Sequence, residues 1–190
     1  MKIGLYFGSF NPVHIGHLII ANYAVNETDL NQVWFVVSPQ NPFKQSSSLL
    51  NEYHRLHLIR SAIEGENNLR VSNVEFKLPK PSYTVDTLAY LKEKYPQHEF
   101  CILMGSDGFE NLNNWKNYEI IIANHLIYIY VRSGHPISLT HGATIKILNA
   151  PLLDISSTHI RELIKRKKSI RFLVPDVVKN EIETGNYYHC

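Results

Sequence analysis

Short continuous apolar runs alternate along this chain with longer stretches of helical periodicity. Ile3, Leu5 and Phe7 form the first run, which stops at a Gly-Ser-Phe-Asn-Pro turn. Helical spacing then resumes from Ile15 through Leu18, Ile19 and Asn22, so strand, turn and helix are predicted. Residues 32–37 are a continuous run of strand length, as expected of a strand covered on both faces. Residues 51–63 predict a helix with Leu56, Ile59 and Ile63 inward, Asn51 as N-cap, and His54, Arg55, His57 and Arg60 on a solvated face. A strand over 69–76 and a rigid proline loop over 78–82 lead to a helix with Thr84 as N-cap and Val85, Leu88 and Leu91 inward. Residues 99–104 predict a fourth strand, 125–131 a fifth and 144–148 a sixth. Between the fourth and fifth, Leu112, Trp115 and Tyr118 recur at intervals of three in a short, exposed helix rich in asparagine. A helix with Ile160, Leu163 and Ile164 on one face follows the sixth strand, and the last helix runs from Pro175 to Gly185.

Strands alternating with helices imply a parallel sheet. With 190 residues, 44% of them hydrophobic, and no linker-like stretch, the chain is expected to be one domain, 1–190. A formal net charge of +2 with dispersed basic residues gives no sign of a nucleic-acid partner. Cys101 and Cys190 cannot build a disulfide framework, and a reducing cytoplasm is the expected location. The N-terminal run is broken by Gly4, Gly8 and Pro12, unlike a signal peptide. The most apolar stretch, 120–131, is interrupted well short of a membrane span.

The chemistry concentrates at strand ends. At the first strand-helix junction, backbone N–H groups and the helix dipole favour an anion. Gly8 allows close approach, Pro12 fixes the turn, Gly16 lets the first helical turn press on a neighbour, and His14 and His17 flank the cradle as donors. The glycine spacing is neither that of the dinucleotide fingerprint nor that of the lysine-bearing phosphate loop. Two histidines could also hold a transition metal, but a tight site needs a third ligand. The loop 38–44 places Lys44 at the same sheet edge, with an ordinary solvated lysine as the plain alternative. Asp107, after the fourth strand, could cap the following helix or accept bonds from a nucleotide. Ser156, Ser157 and Thr158 open the late helix without a capping box, and Arg161 in its first turn would oppose the dipole unless an anion were bound. The cluster Lys165, Arg166, Lys167, Lys168 and Arg171 reads as a solvated helix end, and the loop 132–136 carries no clear chemistry.

The run Gly8-Ser9-Phe10-Asn11-Pro12-Val13-His14-Ile15-Gly16-His17 resembles the signature of the nucleotidylyltransferase superfamily, whose His-x-Gly-His motif grips ATP phosphates. With Pro42-Phe43-Lys44, the segment 81–88, Gly105-Ser106-Asp107, Leu112 and Trp115, Ile155-Ser156-Ser157-Thr158 with Ile160-Arg161, and the segment 172–175, the chain is similar to the nicotinate-nucleotide adenylyltransferase family from Tyr6 to Ile182. That resemblance implies a Rossmann-like α/β fold, a parallel sheet of about six strands with helices on both faces. It implies adenylyl transfer from ATP to nicotinic acid mononucleotide, with Mg2+ carried by the ATP phosphates. His14, His17, Lys44 and Arg161 would be catalytic. ATP would also meet Gly8, Ser9, Phe10, Gly16, Gly105, Asp107, Ser156, Ser157 and Thr158, and the helical part 157–185 would complete its site. Ser9, Lys44, Asp107, Tyr83, Thr84 and Trp115 would meet the acceptor, with the indole on its pyridine ring. No nucleic-acid or membrane partner is implied, and a homo-oligomer stays open. Phe7, Ser9, Asn11 and Phe43 depart from the family pattern of glycine, threonine, aspartate and histidine. Nicotinamide mononucleotide or phosphopantetheine as acceptor, and a non-catalytic nucleotide sensor or RNA-binding module, are the alternatives.

Overall fold

The computed structural model describes residues 1–40 and 49–189. Six parallel strands, β1 (Lys2–Gly8), β2 (Gln32–Val37), β3 (Leu69–Ser72), β4 (Glu99–Gly105), β5 (Ile127–Tyr130) and β6 (Ile145–Leu148), form one sheet in the order β3-β2-β1-β4-β5-β6. The chain winds outward from β1 in one direction, then crosses to β4 and winds the other way. The crevice above the β1 and β4 ends is therefore the topological switch point, where open α/β sheets bind ligands.

The period-two pleat divides each apolar strand between two cores. Tyr6, Phe35, Cys101 and Tyr128 pack with helices α1 (Ile15–Asn26), α2 (Glu52–Ala62), α6 (Ser157–Lys165) and α7 (Asp176–Thr184) on one face. Ile3, Leu5, Trp34, Ile102 and Ile129 pack on the other face with α3 (Thr84–Lys94), α4 (Ser106–Glu110) and α5 (Tyr118–Asn124). No helix of the described residues is long and apolar enough to cross a membrane.

Four expectations need correction. The buried stripe of α1 is Gly16, Ile20, Ala21 and Ala24, while Asn22 is exposed, because small residues let this helix lie close on the sheet. β3 stops at Ser72 and a 3-10 turn, Val74–Lys77, follows, which turns Glu75 inward. Tyr83 is the N-cap of α3 and Thr84 its first residue. Arg55 is not on a solvated face but fully buried.

Candidate active site

β1 ends at Gly8, where a Cβ would sit 2.8 Å from the Phe10 ring, so only glycine fits beneath that aromatic. Phe10 is buried and takes φ 46°, a left-handed conformation unfavourable for a bulky residue. Edge-on packing against Tyr6, Phe35 and His17 holds it there. The chain then reaches His14, the N-cap of α1. Its ring stacks on His17 at 3.6 Å between centroids and 27° between planes. The His14 backbone N–H donates to His17 Nδ1 at 3.3 Å. With Nδ1 an acceptor, the proton of neutral His17 lies on Nε2. His14 Nδ1 is buried with no hydrogen-bond partner among the described residues, and a Gly16 Cβ would come within 3.1 Å of it. Ser9 Oγ is likewise buried and unpartnered.

Burial, and secondarily the charge of Arg132, pull the His14 pKa from 6.5 down to about 4. The imidazole is therefore neutral near pH 7 until an anion arrives. In the unfolded chain it would titrate normally, so His14 opposes folding as pH falls from 6.5 toward 4. Urea unfolding should show His14→Gln losing less stability than the wild type between about pH 7.5 and pH 5, by about 2 kcal/mol. Equal losses would place the His14 pKa at its ordinary value.

The loop is fixed from below by Arg55 of α2. Its guanidinium donates to the carbonyls of Ser9 at 2.5 Å, Ser38 at 2.9 Å and Pro39 at 3.3 Å, and its Nε to Leu50 at 2.7 Å. One side chain thus ties together the loops after β1 and β2. From the other side, α6 is docked on the same loop. Ser157 Oγ donates to the Pro12 carbonyl at 2.8 Å, and Arg161 donates to the Asn11 carbonyl at 2.8 Å and to Thr158 Oγ1 at 3.2 Å. Ser156 is the N-cap of α6, which puts Arg161 in its second turn rather than its first and removes most of the conflict with the dipole. Asn11 also accepts, through Oδ1, the Leu50 N–H at 3.1 Å, a bond the amide makes as well as a carboxylate would.

Across the crevice β4 ends in Gly105, the N-cap of α4, so Asp107 is not the cap. Asp107 instead pairs with Arg132 at 3.0 Å, and the Arg132 backbone N–H donates to Ser106 Oγ. Arg132 corrects the reading of loop 132–136 as chemically empty. A cavity of about 790 Å³ spans the switch point, lined by Gly8, Ser9, Phe10, His14, His17, Gly105, Asp107, Ser156, Ser157, Thr158, Arg161 and Arg132. A smaller one of about 110 Å³ adjoins it, sharing Phe7, Gly8 and Trp115 and lined also by Tyr83, Thr84, Glu75 and Lys116. The predicted site residues therefore sort into two neighbouring chambers with Trp115 between them. Gly16 lies beneath the larger one against His14, and Lys44 falls outside the described residues.

Among the described residues lining the larger cavity Asp107 is the sole carboxylate, and it is committed to Arg132. No group of three or more metal-ligating side chains occurs among the described residues. That donor set suits a hard cation that arrives on phosphate oxygens with its own waters better than one caged by protein.

A family profile described as cytidylyltransferase-like matches residues 5–163. A protein of Cytophaga hutchinsonii named "Probable nicotinate-nucleotide adenylyltransferase" is 50% identical over 189 residues, covering 99% of this chain and 98% of the relative. One of the same name from Flavobacterium psychrophilum is 51% identical over 191 residues, covering 99% of both. Among solved structures, nicotinic acid mononucleotide adenylyltransferase of Plasmodium falciparum, complexed with NaAD, superposes with a TM-score of 0.86 at 21% identity, covering 98% of this chain and 97% of that one. Agreement at about half of all positions, carried from end to end of both sequences, is far more than a shared fold requires: the chain belongs to the nicotinate-nucleotide adenylyltransferase family.

Proposed function

We propose that this chain transfers the adenylyl group of ATP to nicotinic acid mononucleotide, releasing pyrophosphate and nicotinate adenine dinucleotide. The observation that carries this reading is the pair of adjoining chambers. The larger is faced by histidines, arginines and two helix N-termini, the smaller by Tyr83, Thr84 and Trp115. A triphosphate suits the first and a flat ring the second.

The second pKa of a phosphate monoester is about 6, so the acceptor is mostly a dianion at neutral pH and needs no enzymatic base. Its oxygen attacks the α-phosphorus in line. The new O–P bond forms as the bond between the α-phosphorus and the bridging oxygen breaks, and that electron pair leaves with pyrophosphate. The protein's task is to hold two anions together and to meet the charge that grows on the leaving group. His17, through Nε2–H, and His14 lie at the α1 end. Arg161, with Ser157 and Thr158, approaches from α6, so the head of α6 would complete the ATP site. Lys44 would add a further cation from loop 38–44. Arg132, paired with Asp107, adds positive charge on the β4 side. Mg2+ bound to the ATP phosphates would supply further charge neutralisation; among the described residues lining the larger cavity Asp107 is the sole carboxylate, and it is paired with Arg132.

Pyrophosphate release with ATP and magnesium, measured with nicotinic acid mononucleotide and nicotinamide mononucleotide in parallel, tests the assignment. Strong preference for the acid is expected. Equal or better use of the amide would overturn the acceptor assignment, and no release with either would overturn adenylyl transfer. In the same assay Trp115→Ala should raise KM for the mononucleotide roughly tenfold through loss of ring stacking, with KM for ATP little changed. A rise confined to ATP would move the indole to the other chamber.

A further inference from the structure

The turn that follows β3, Val74–Lys77, carries a carboxyl group for which the proposed reaction has no use. Glu75 is buried, and it lines the smaller chamber together with Ser38, Ser82, Tyr83, Thr84 and Trp115. Three hydroxyl groups donate to it, Ser82 at 2.6 Å, Thr87 at 3.0 Å, and Ser38. All three residues are buried as well. They come from different pieces of the fold. Ser38 follows the end of β2, and its backbone N–H donates to the Gly8 carbonyl at the end of β1. Ser82 lies immediately before the Tyr83 cap of α3, and Thr87 sits in the first turn of the helix itself. A buried carboxyl is a costly way to fill space, because burial pushes its pKa up and the three hydroxyl bonds only oppose that. An apolar side chain would pack there without the cost, whereas a carboxyl can gather several donors at fixed positions.

We infer that Glu75 is a positioning residue for the mononucleotide: by gathering the Ser38, Ser82 and Thr87 hydroxyls it sets where the head of α3 stands against the sheet edge, and so the shape of the slot offered to a flat ring. This rests on the smaller chamber being the acceptor's ring site. Tyr83 and Thr84 follow Ser82 directly, so a turn released at Ser82 moves both of them. Trp115 comes from a separate segment after α4 and would stay in place. A gap of about 0.5–1 Å opened against a stacked ring forfeits roughly a quarter to a half of the dispersion attraction there. Neither Glu75 nor its three partners line the larger cavity, so the effect falls on the acceptor and not on ATP.

The test is steady-state pyrophosphate release, with KM for each substrate and Tm determined for Glu75→Leu, Glu75→Gln, Ser82→Ala and Thr87→Val. Glu75→Leu should raise KM for nicotinic acid mononucleotide about tenfold, and Ser82→Ala and Thr87→Val about threefold each, with KM for ATP within about twofold of wild type throughout. Glu75→Gln should recover most of the loss. Its amide keeps one acceptor oxygen, and its NH2 can donate to Thr87 Oγ1, whose own proton then turns to the Tyr83 carbonyl 3.3 Å away. Should Glu75→Leu fail to fold, the two hydroxyl variants decide by the same split between the KM values. A lower Tm with both KM values unchanged would make Glu75 structural only. Equal rises in both KM values, or a Gln variant as impaired as the Leu variant, would also overturn its positioning role. Any of these results, with an active wild type, leaves the adenylyl-transfer reading intact. A wild type that releases no pyrophosphate with the mononucleotide would instead overturn both.

Discussion

His14→Ala and His17→Ala should each lower kcat by about 10²–10³-fold while KM for ATP and for the mononucleotide shifts by no more than about threefold. The proposed reaction has no nucleophile to activate and no base to lose, so catalysis must lie in donors placed where charge grows on the departing pyrophosphate. The two imidazoles proposed for that role sit at the head of α1, stacked at 3.6 Å and with the His14 backbone N–H donating to His17 Nδ1. His14 is neutral in the ligand-free protein because burial holds its pKa near 4. An arriving triphosphate favours the protonated ring, and the extra leaving-group charge favours it more. An interaction that strengthens between ground and transition state appears in kcat and kcat/KM alike. Pyrophosphate release at saturating substrates measures it. Turnover within threefold of wild type in both variants would remove the histidines from the chemistry. A change confined to KM would make them ground-state phosphate ligands only.

Most of the site's backbone was readable from the chain, and the reason is local. A strand that stops at glycine, a proline-fixed turn and a helix head with two histidines are all encoded within ten residues, as is the hydroxyl-rich head of α6. Alternation of strands and helices announced a parallel sheet but not its order, and β5 passes to β6 with no helix between them. Side chains whose partners are distant in sequence were not readable. Arg132 sits in a loop of ordinary composition, and only the sheet brings it to Asp107, twenty-five residues earlier. Arg55 lies between exposed His54 and buried Leu56, and its charge assigned it to the surface. Its i, i+4 relation to Ile59, on the buried face, was the available signal. Trp115 could not be told from core by spacing, because a ring dividing two chambers is half-buried in the same way as a ring at a core's edge.

Arg55→Met should destabilise the protein by about 3–5 kcal/mol, a fall of about 10 °C in Tm for a domain of this size. Arg55 is fully buried, and the bonds it makes run to main-chain carbonyls rather than to a carboxylate. Burial depresses its pKa, yet guanidinium stays charged at any physiological pH, so the cation is stabilised by four carbonyl dipoles in fixed positions. Methionine fills much of the volume but leaves the oxygens of Ser9, Ser38, Pro39 and Leu50 without this donor, and each stranded buried acceptor costs about 1–3 kcal/mol. Arg55→Lys should recover only part of the loss, because one ammonium cannot span the positions taken by Nε and both terminal nitrogens. Arg60→Ala, on the exposed face of the same helix, is the control and should stay within about 0.5 kcal/mol of wild type. Since the Ser9 carbonyl leads into the histidine loop, any Arg55→Met protein that remains folded should also show a raised KM for ATP. A variant as stable as wild type, with unaltered KM, would mean that the loops after β1 and β2 hold their shape without this clamp.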